Sequence, residues 1–234
     1  MSLPRIVTGN AFPRVFPFAL FMAFIGLEEL ARFLTTAGIL HCEKSSLYLL
    51  YPVKALSVGY ALLLFRSRLP EIMLRDLANL PRTAVSTAVA VVVFLLWVNM
   101  DWSFGTQGTL HGFDPTLFDN GFARMGIIAF RLFGAVLVVP FMEELFWRSF
   151  LIRYIIDNDF ETVPIGRFTW PSFLITTVLF GLEHNLFLAG MMAGISYNLL
   201  LYRTKSLAHC ILAHAITNLL LGIYVLTTGK WQFW

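Results

Sequence analysis

Long apolar runs separated by short polar stretches make up most of this chain of 234 residues. A helix needs about 20 mainly apolar residues to cross the hydrocarbon core of a bilayer. The runs cover roughly residues 15–39, 47–65, 83–100, 125–151, 170–183, 185–202 and 207–227. The pattern therefore predicts an all-α, polytopic transmembrane helix bundle with about seven membrane segments.

The stretch from Pro70 to Pro81, between the second and third runs, has a different pattern. It mixes Ile, Met and Leu residues with Arg75 and Asp76. Apolar residues interleaved with charges are typical of an amphipathic helix that lies on the membrane surface. We therefore predict a short surface helix here in addition to the membrane segments.

The fifth and sixth runs are too short and too interrupted for ordinary crossings. Residues 170–183 would be only about 21 Å long as a helix, and Gly181, His184 and Asn185 then break the apolar pattern. Polar backbone at membrane depth is tolerated where it faces protein or a water-filled cavity. We predict a short helix pair whose polar turn, 183–185, ends inside the membrane.

The positions of Lys and Arg predict the orientation, because cytoplasmic loops carry an excess of these residues. With the N-terminus inside, the outer side holds only Lys44, Arg124 and Lys230. The inner side then holds Arg5, Arg14, Arg66, Arg68, Arg75, Arg82, Arg153, Arg167, Arg203 and Lys205. We expect a cytoplasmic N-terminus and a C-terminus on the opposite side, in a bacterial cytoplasmic (inner) membrane.

Composition agrees with a membrane protein and excludes some functions. Hydrophobic residues make up 58% and charged residues 13% of the chain, whereas a soluble domain carries about 25% charged residues. The net charge of +3 is spread along the chain and gives no reason to expect nucleic acid. We predict one integral membrane domain over 1–234, with N-terminal helices in 1–124 and core helices in 125–227.

Two adjacent carboxylates, Glu143 and Glu144, lie inside the apolar run together with Arg148. Ionised groups in hydrocarbon cost roughly 2.5 to 3.5 kcal/mol each, so they indicate a functional site unless a partner explains them. Arg148 follows Glu144 by four residues and shares its helix face. Glu143 is turned by about 100°, which leaves it without a local counter-ion.

Three further polar groups lie on two other apolar segments: His184 in the polar turn, and His214 with Asn218 four residues later on one face. A carboxylate beside imidazole can take a proton from water, and His or Asn can stabilise the oxyanion that forms. The same Glu143, His184 and His214 set would also suit a catalytic metal such as zinc. Cys210, four residues before His214, keeps a thiol route open.

Each group also has a structural explanation. Glu144 with Arg148 is equally well a buried pair that fixes helix packing, and a single His or Asn in a membrane helix often only joins two helices. Phe180 and the pair Gly190/Gly194 indicate packing.

A second acid–base cluster, Glu28 and Glu29 with Arg32, is better explained as locally paired, since the spacings are four and three residues.

The chain resembles the CAAX-protease and bacteriocin-processing family, which includes intramembrane proteases of the Ras-converting type. More loosely, it resembles the CAAX-protease-related subgroup associated with exosortase systems. The likeness covers about 125–227. It rests on three motifs in order, Glu-Glu-x-x-x-Arg, Phe-x-x-x-His and His-x-x-x-Asn, which stand here as Glu143, Glu144 and Arg148, then Phe180 and His184, then His214 and Asn218.

The resemblance implies a glutamate-dependent intramembrane endopeptidase. It implies that Glu143 is the general base with His184 assisting, that His214 and Asn218 bind the oxyanion, and that Glu144 and Arg148 orient the motif. The expected partners are membrane lipids and a peptide or protein cleaved near the membrane, with a C-terminal sorting tail or a lipid-modified tail as candidates. The alternatives are a non-catalytic binding, assembly or immunity protein on the same scaffold and, less strongly, an ion or proton pathway.

Overall fold

A computed structural model describes residues 9–108 and 112–234, so that Arg5 lies outside the described residues. The described residues form helices, turns and loops, with no β-strand among them. The α-helices of the first half are α1 (Phe12–Thr36), α2 (Lys44–Tyr48), α3 (Leu50–Phe65) and α4 (Leu80–Trp97). Those of the second half are α5 (Gly121–Ile156), α6 (Trp170–Leu182), α7 (Phe187–Thr204) and α8 (Leu207–Thr228).

All seven apolar runs are helical, which confirms the predicted helix bundle. Four stretches are long and apolar enough to cross a membrane: Ser45–Arg68, Leu80–Trp97, Gly121–Ile156 and Leu207–Thr228. The protein is therefore an integral membrane protein. Helix α6 is apolar but shorter, in agreement with its prediction as half of a short helix pair.

Two π-helical segments, Gly134–Val138 and Leu145–Leu151, interrupt α5 on either side of Val139–Glu144. Pro140 accounts for the first of them. In the π register the Val139 N–H bonds to the Gly134 carbonyl, so the next carbonyl, that of Ala135, would need a donor from Pro140. Proline has no N–H, and the Ala135 carbonyl is left free for a partner outside the helix.

Helices α6 and α7 form a tight antiparallel pair around the turn 183–186. The helices approach so closely that a Cβ added at Gly190 would lie 3.0 Å from the Gly181 Cα, and one at Gly194 would lie 3.3 Å from the Phe180 ring. This packing confirms the interpretation of Gly190 and Gly194, and it fixes the position of the polar turn.

The predicted surface helix at 70–81 is shorter than expected. Only a 3₁₀ helix, Leu74–Ala78, forms there, because Asn79 leaves the helical conformation and starts α4. Its side-chain oxygen accepts a hydrogen bond from the Arg82 N–H at 3.2 Å, and Pro81 occupies the first turn, where it is tolerated.

The segment before that 3₁₀ helix is tied to the bundle by a buried carboxylate. Arg14 on α1 donates to both oxygens of Glu71 at 2.7 and 2.8 Å, and the Ser149 hydroxyl on α5 donates to Glu71 at 2.5 Å. Burial acts to raise the pKa of Glu71, but the hydrogen bonds from Arg14 and Ser149 outweigh it and hold the pKa below its ordinary value.

Loops that the Lys and Arg distribution assigns to one side lie at one end of the bundle. At the predicted inner end, Ser206 bonds to Asp76 at 2.6 Å and Arg82 bonds to the Thr204 carbonyl. At the opposite end, Phe113 packs on Tyr48 and bonds through its N–H to Trp234. Which end faces the cytoplasm stays a prediction.

Candidate active site

A cavity of about 560 Å³ lies within the bundle between α1, α3, α5, α8 and the α6–α7 turn. The predicted catalytic residues Glu143, His184, His214 and Asn218 all line this cavity. Glu183, for which no role is predicted from the sequence, lines it too. The polar residues at this end of the cavity are Glu143, Glu183, His184, Asn185, His214 and Asn218. The structure therefore brings residues of all three motifs together around one cavity.

Glu143 is buried on α5, and its Oε2 atom has no hydrogen-bond partner. The nearest basic atom is the Nε2 of His214, 4.0 Å away. Among the described residues, no Lys or Arg lies within 4.0 Å of the Glu143 carboxylate, in agreement with its position one residue away from the Arg148 face. A buried carboxylate oxygen left free in a cavity is costly unless water or a ligand satisfies it.

Glu144 is fully buried and holds two partners on one oxygen. Its Oε1 accepts from the Arg148 guanidinium at 3.2 Å and from the Nδ1 of His214 at 2.9 Å. The pairing of Glu144 with Arg148 is confirmed, and the contact with His214 adds a second role. Because a carboxylate only accepts, His214 Nδ1 carries the proton and its Nε2 turns toward Glu143.

Arg148 is 1% exposed and is held by more than Glu144. Its Nε donates to the Asn198 oxygen on α7 at 3.2 Å. Its guanidinium lies 4.4 Å above the Phe180 ring and 5.4 Å from the Tyr197 ring. Phe180, which the sequence suggests is a packing residue, thus forms one wall of the Arg148 pocket.

His184 is oriented by the helix that precedes it. Its Nδ1 lies 2.8 Å from the Phe180 carbonyl, so Nδ1 carries the proton and Nε2 is left as an acceptor. The ring packs edge-on against Trp97 at the end of α4, with centroids 5.3 Å apart. The Phe180 ring contacts both imidazoles, at 5.0 Å from His184 and 6.4 Å from His214.

Asn218 is oriented by the π segment of α5. Its Nδ2 donates to the Ala135 carbonyl at 2.8 Å, the same carbonyl that Pro140 leaves without an intrahelical donor. An amide nitrogen carries two hydrogens, so one N–H of Asn218 remains for the cavity. The sequence signal for this contact is Pro140, whose missing N–H leaves a carbonyl of the helix free, and it was not among the predicted site features.

Glu183 and Trp147 are site residues that the sequence analysis did not assign. The Trp147 Nε1 donates to Glu183 Oε2 at 3.0 Å, which joins α5 to the polar turn. The turn is also held from the predicted outer loop, where Gln107 donates to the Leu182 and His184 carbonyls at 2.6 and 3.0 Å. The polar turn itself was the signal for Glu183.

The predicted metal ligands do not assemble into a metal site. Among residues 9–108 and 112–234, no three His, Cys, Asp or Glu side chains are grouped so that they could hold a metal ion. Catalytic zinc sites use three protein ligands and keep one position open. Three such ligands are not grouped around Glu143 among these residues, and metal dependence stays a prediction.

Cys210, the candidate thiol, lies apart from the Glu143 end of the cavity. It is fully buried, and its sulfur contacts the Tyr197 carbonyl at 3.6 Å.

The expected local pairing of Glu28 and Glu29 with Arg32 is partly wrong. Glu29 lies 3.7 Å from Arg32, but Glu28 pairs with Lys54 of α3 at 2.9 Å, because the close packing of α1 on α3 offers a nearer cation.

Comparison with known proteins supports the resemblance seen in the motifs. Residues 125–220 match the family described as Rce1-like, type II CAAX prenyl endopeptidase. The matched region contains every residue of the three motifs. No curated protein and no solved structure matches the chain, and the link to exosortase systems stays a prediction.

Proposed function

We propose that the chain is an intramembrane endopeptidase of the Rce1-like family that its residues 125–220 match, and that it hydrolyses a peptide bond within the membrane with Glu143 as the general base. The observation that carries this proposal is the free Glu143 Oε2 in a cavity, 4.0 Å from His214 Nε2. For a water molecule at a normal hydrogen-bond distance of about 2.8 Å from both atoms, the angle between Glu143 Oε2, the water oxygen and His214 Nε2 would be roughly 90°. Both atoms accept, so they would orient both water hydrogens and turn a lone pair toward the substrate.

The proposed reaction follows from this arrangement. Glu143 takes a proton from the water molecule while the water oxygen bonds to the scissile carbonyl carbon. The carbonyl oxygen thereby gains a negative charge. When the tetrahedral intermediate collapses, the C–N bond breaks and the protonated Glu143 gives its proton to the leaving nitrogen. The products are a carboxylic acid and an amine, between which a proton passes to give a carboxylate and an ammonium, and Glu143 returns to its starting state.

Asn218 is the proposed donor to the oxyanion, since its second N–H remains after the bond to Ala135. His214 is the second proposed donor, in the form in which its Nε2 carries a proton. His184 assists by accepting from water at Nε2. Glu144 and Arg148 act as positioning residues, because they contact His214 and the α6–α7 pair rather than the reacting atoms.

The proposed substrate is a peptide presented at or within the bilayer, with a C-terminal or lipid-modified tail among the candidates. The cavity lies inside a bundle of membrane helices, so the scissile segment has to enter from the membrane or from its surface. The proposed location is a bacterial inner membrane with the N-terminus in the cytoplasm.

The test is turnover by the purified protein in lipid nanodiscs, with a library of membrane-anchored peptides and mass spectrometry of the products. We expect cleavage by the parental protein and none by Glu143→Gln at an unchanged melting temperature. Cys210→Ser is the matched control and should cleave normally, since the thiol faces a backbone carbonyl. Peptides that bind without being cut would instead favour the non-catalytic binding protein.

Metal dependence is tested in the same assay. We expect exhaustive treatment with a membrane-permeant chelator to leave cleavage unchanged, because Glu143, His184 and His214 are not grouped as three metal ligands. If chelation removes activity and zinc restores it, Glu143, His184 and His214 would be ligands and direct water activation by Glu143 would be rejected.

A further inference from the structure

Arg131 lies in the same cavity as Glu143, toward its opposite end, and the proposed reaction does not use it. Its guanidinium forms no ion pair with any described residue, and its Nε–H is buried without an acceptor. The two nearby carboxylates are already engaged, Glu28 by Lys54 and Glu29 by Arg32. A cation at membrane depth without a counter-ion indicates a functional site.

Aromatic rings surround this cation. The guanidinium carbon lies 4.5 Å from the Tyr51 ring, 5.2 Å from the Phe113 ring and 6.0 Å from the Trp234 ring. The Nε1–H of Trp234 is likewise buried without an acceptor, and Trp234 lines the cavity. The cage therefore offers two unused N–H donors and apolar walls.

A second cation adds to the positive charge of this region. The Lys54 ammonium lies 5.1 Å from the same Tyr51 ring, while bonding to Glu28. The two carboxylates Glu28 and Glu29 face three cations, Arg32, Lys54 and Arg131, so this end of the cavity has an excess positive charge.

The geometry of α5 directs Arg131 and Glu143 into one space. They are 12 residues apart, which on a regular α-helix would put them about 120° apart around the axis. The π segment Gly134–Val138 takes up one extra residue, which reduces the difference to about 20°. Both side chains tilt toward the helix N-terminus, so their tips are separated by about 16 to 17 Å along the axis, the rise of about 11 α-helical residues.

We propose that Arg131, with Trp234, binds the C-terminal carboxylate of the peptide whose bond is cleaved at Glu143. A carboxylate accepts two N–H donors in one plane, as a guanidinium and a neighbouring indole supply. The apolar rings fit the last side chain of a hydrophobic tail better than a hydrated phosphate. At about 3.3 to 3.6 Å per extended residue, a separation of about 16 to 17 Å corresponds to about five residues between the scissile bond and the carboxylate.

This inference rests on the proposed function for its substrate, but its test measures binding alone. The Glu143→Gln protein in nanodiscs is incubated with pooled apolar peptides of three to eight residues. The pool is prepared once with free C-terminal carboxylates and once with C-terminal amides, and retained peptides are quantified by mass spectrometry. We expect the free acids to be retained about 10- to 100-fold better than the amides, with most enrichment at the longer lengths.

Three variants in the same background locate the effect. Glu143→Gln/Arg131→Gln should lose the preference for the acid, and Glu143→Gln/Arg131→Lys should keep part of it, since Lys keeps the charge but lacks the planar fork. The control is Glu143→Gln/Arg124→Gln, which removes a cation of the same helix that bonds to the Phe118 carbonyl instead. It should keep the full preference.

Several results would overturn the inference: equal retention of acids and amides, no retention of either pool, or a preference that survives Arg131→Gln. If Arg131→Gln loses a bound anionic phospholipid without any change in peptide retention, Arg131 binds a lipid headgroup instead. If it loses bound inorganic phosphate without any change in peptide retention, Arg131 binds a free anion instead. An intact acid preference in a protein that never cleaves would reject the proposed function and leave the carboxylate site standing.

Discussion

Two adjacent glutamates have different surroundings because one residue of helix turns a side chain by about 100°. Glu144 meets Arg148 and His214, while Glu143 meets the cavity with a free oxygen. Sequence spacing was sufficient to separate these roles, since Arg148 lies four residues after Glu144. The contact with His214 could not be read from spacing, because it joins residues 70 positions apart.

Replacement of each glutamate by glutamine should therefore have different effects on stability. Glu143→Gln removes a free buried carboxylate and should leave the melting temperature near that of the parental protein while it abolishes turnover. Glu144→Gln leaves Arg148 buried without a counter-ion and should cost roughly 3 to 5 kcal/mol. Denaturation in mild detergent measures both, and equal losses would refute the assigned division.

Asn218 should matter for turnover more than for substrate affinity. Asn218→Ala removes one donor to the oxyanion, which should lower kcat by about 10² to 10³ with little change in KM. Loss of the bond to Ala135 should add a small destabilisation. Thr227→Ala on the same helix, whose hydroxyl only bonds to its own helix, serves as the control. A main effect on KM would move Asn218 from the oxyanion to substrate binding.

At the scale of elements, the apolar runs predicted the long apolar helices, because membrane helices are defined by length and hydropathy. The polar turn 183–185 was placed correctly since its residues interrupt an apolar pattern. The surface helix was overestimated, because amphipathic spacing does not register the helix start that Asn79 imposes. The π segments were missed, although Pro140 marks one of them, because hydropathy carries no information on helical register.

The close contact between α6 and α7 gives a prediction for Gly190. A Cβ there would lie 3.0 Å from the Gly181 Cα and 3.2 Å from the His184 Cβ, so Gly190→Ala should push the helices apart and displace His184. We expect lower turnover and a lower melting temperature. Gly126→Ala, in a helix with nothing within 4 Å, should be neutral or slightly stabilising. If both variants behave alike, the pair does not need close packing.

The carboxylate that ties the 69–73 segment to the bundle predicts a dependence on acid. The folded pKa of Glu71 lies below its ordinary value of 4.5, so its stabilisation is complete above that pH and is lost as the pH falls through the folded pKa. The melting temperature should therefore drop below about pH 4.5. Glu71→Gln should be less stable at neutral pH and lose less on acidification, whereas Asp119→Asn, an exposed acid, should follow the parental curve. If the melting temperature depends on pH in the same way for all three proteins, Glu71 is not the source of the acid dependence.

At the scale of the whole molecule, the two ends of the bundle differ in what they hold together. One end carries the Arg14–Glu71 and Ser206–Asp76 contacts, and the other carries the Tyr48, Phe113 and Trp234 cluster that closes the Arg131 end of the cavity. If the proposed carboxylate site is correct, the substrate tail points toward this second end. The orientation of the bundle then decides on which side of the membrane the released fragment emerges.

The excess of Lys and Arg predicts that the Arg14–Glu71 end faces the cytoplasm. Reporters of opposite sidedness, inserted in residues 66–79 and in residues 99–108, should report cytoplasmic and external locations respectively. Because the two loops lie at opposite ends of α4, the same location for both would contradict α4 as a crossing helix. Exchanged locations would keep the fold and reverse the orientation, so that a tail held at Arg131 would point to the cytoplasm.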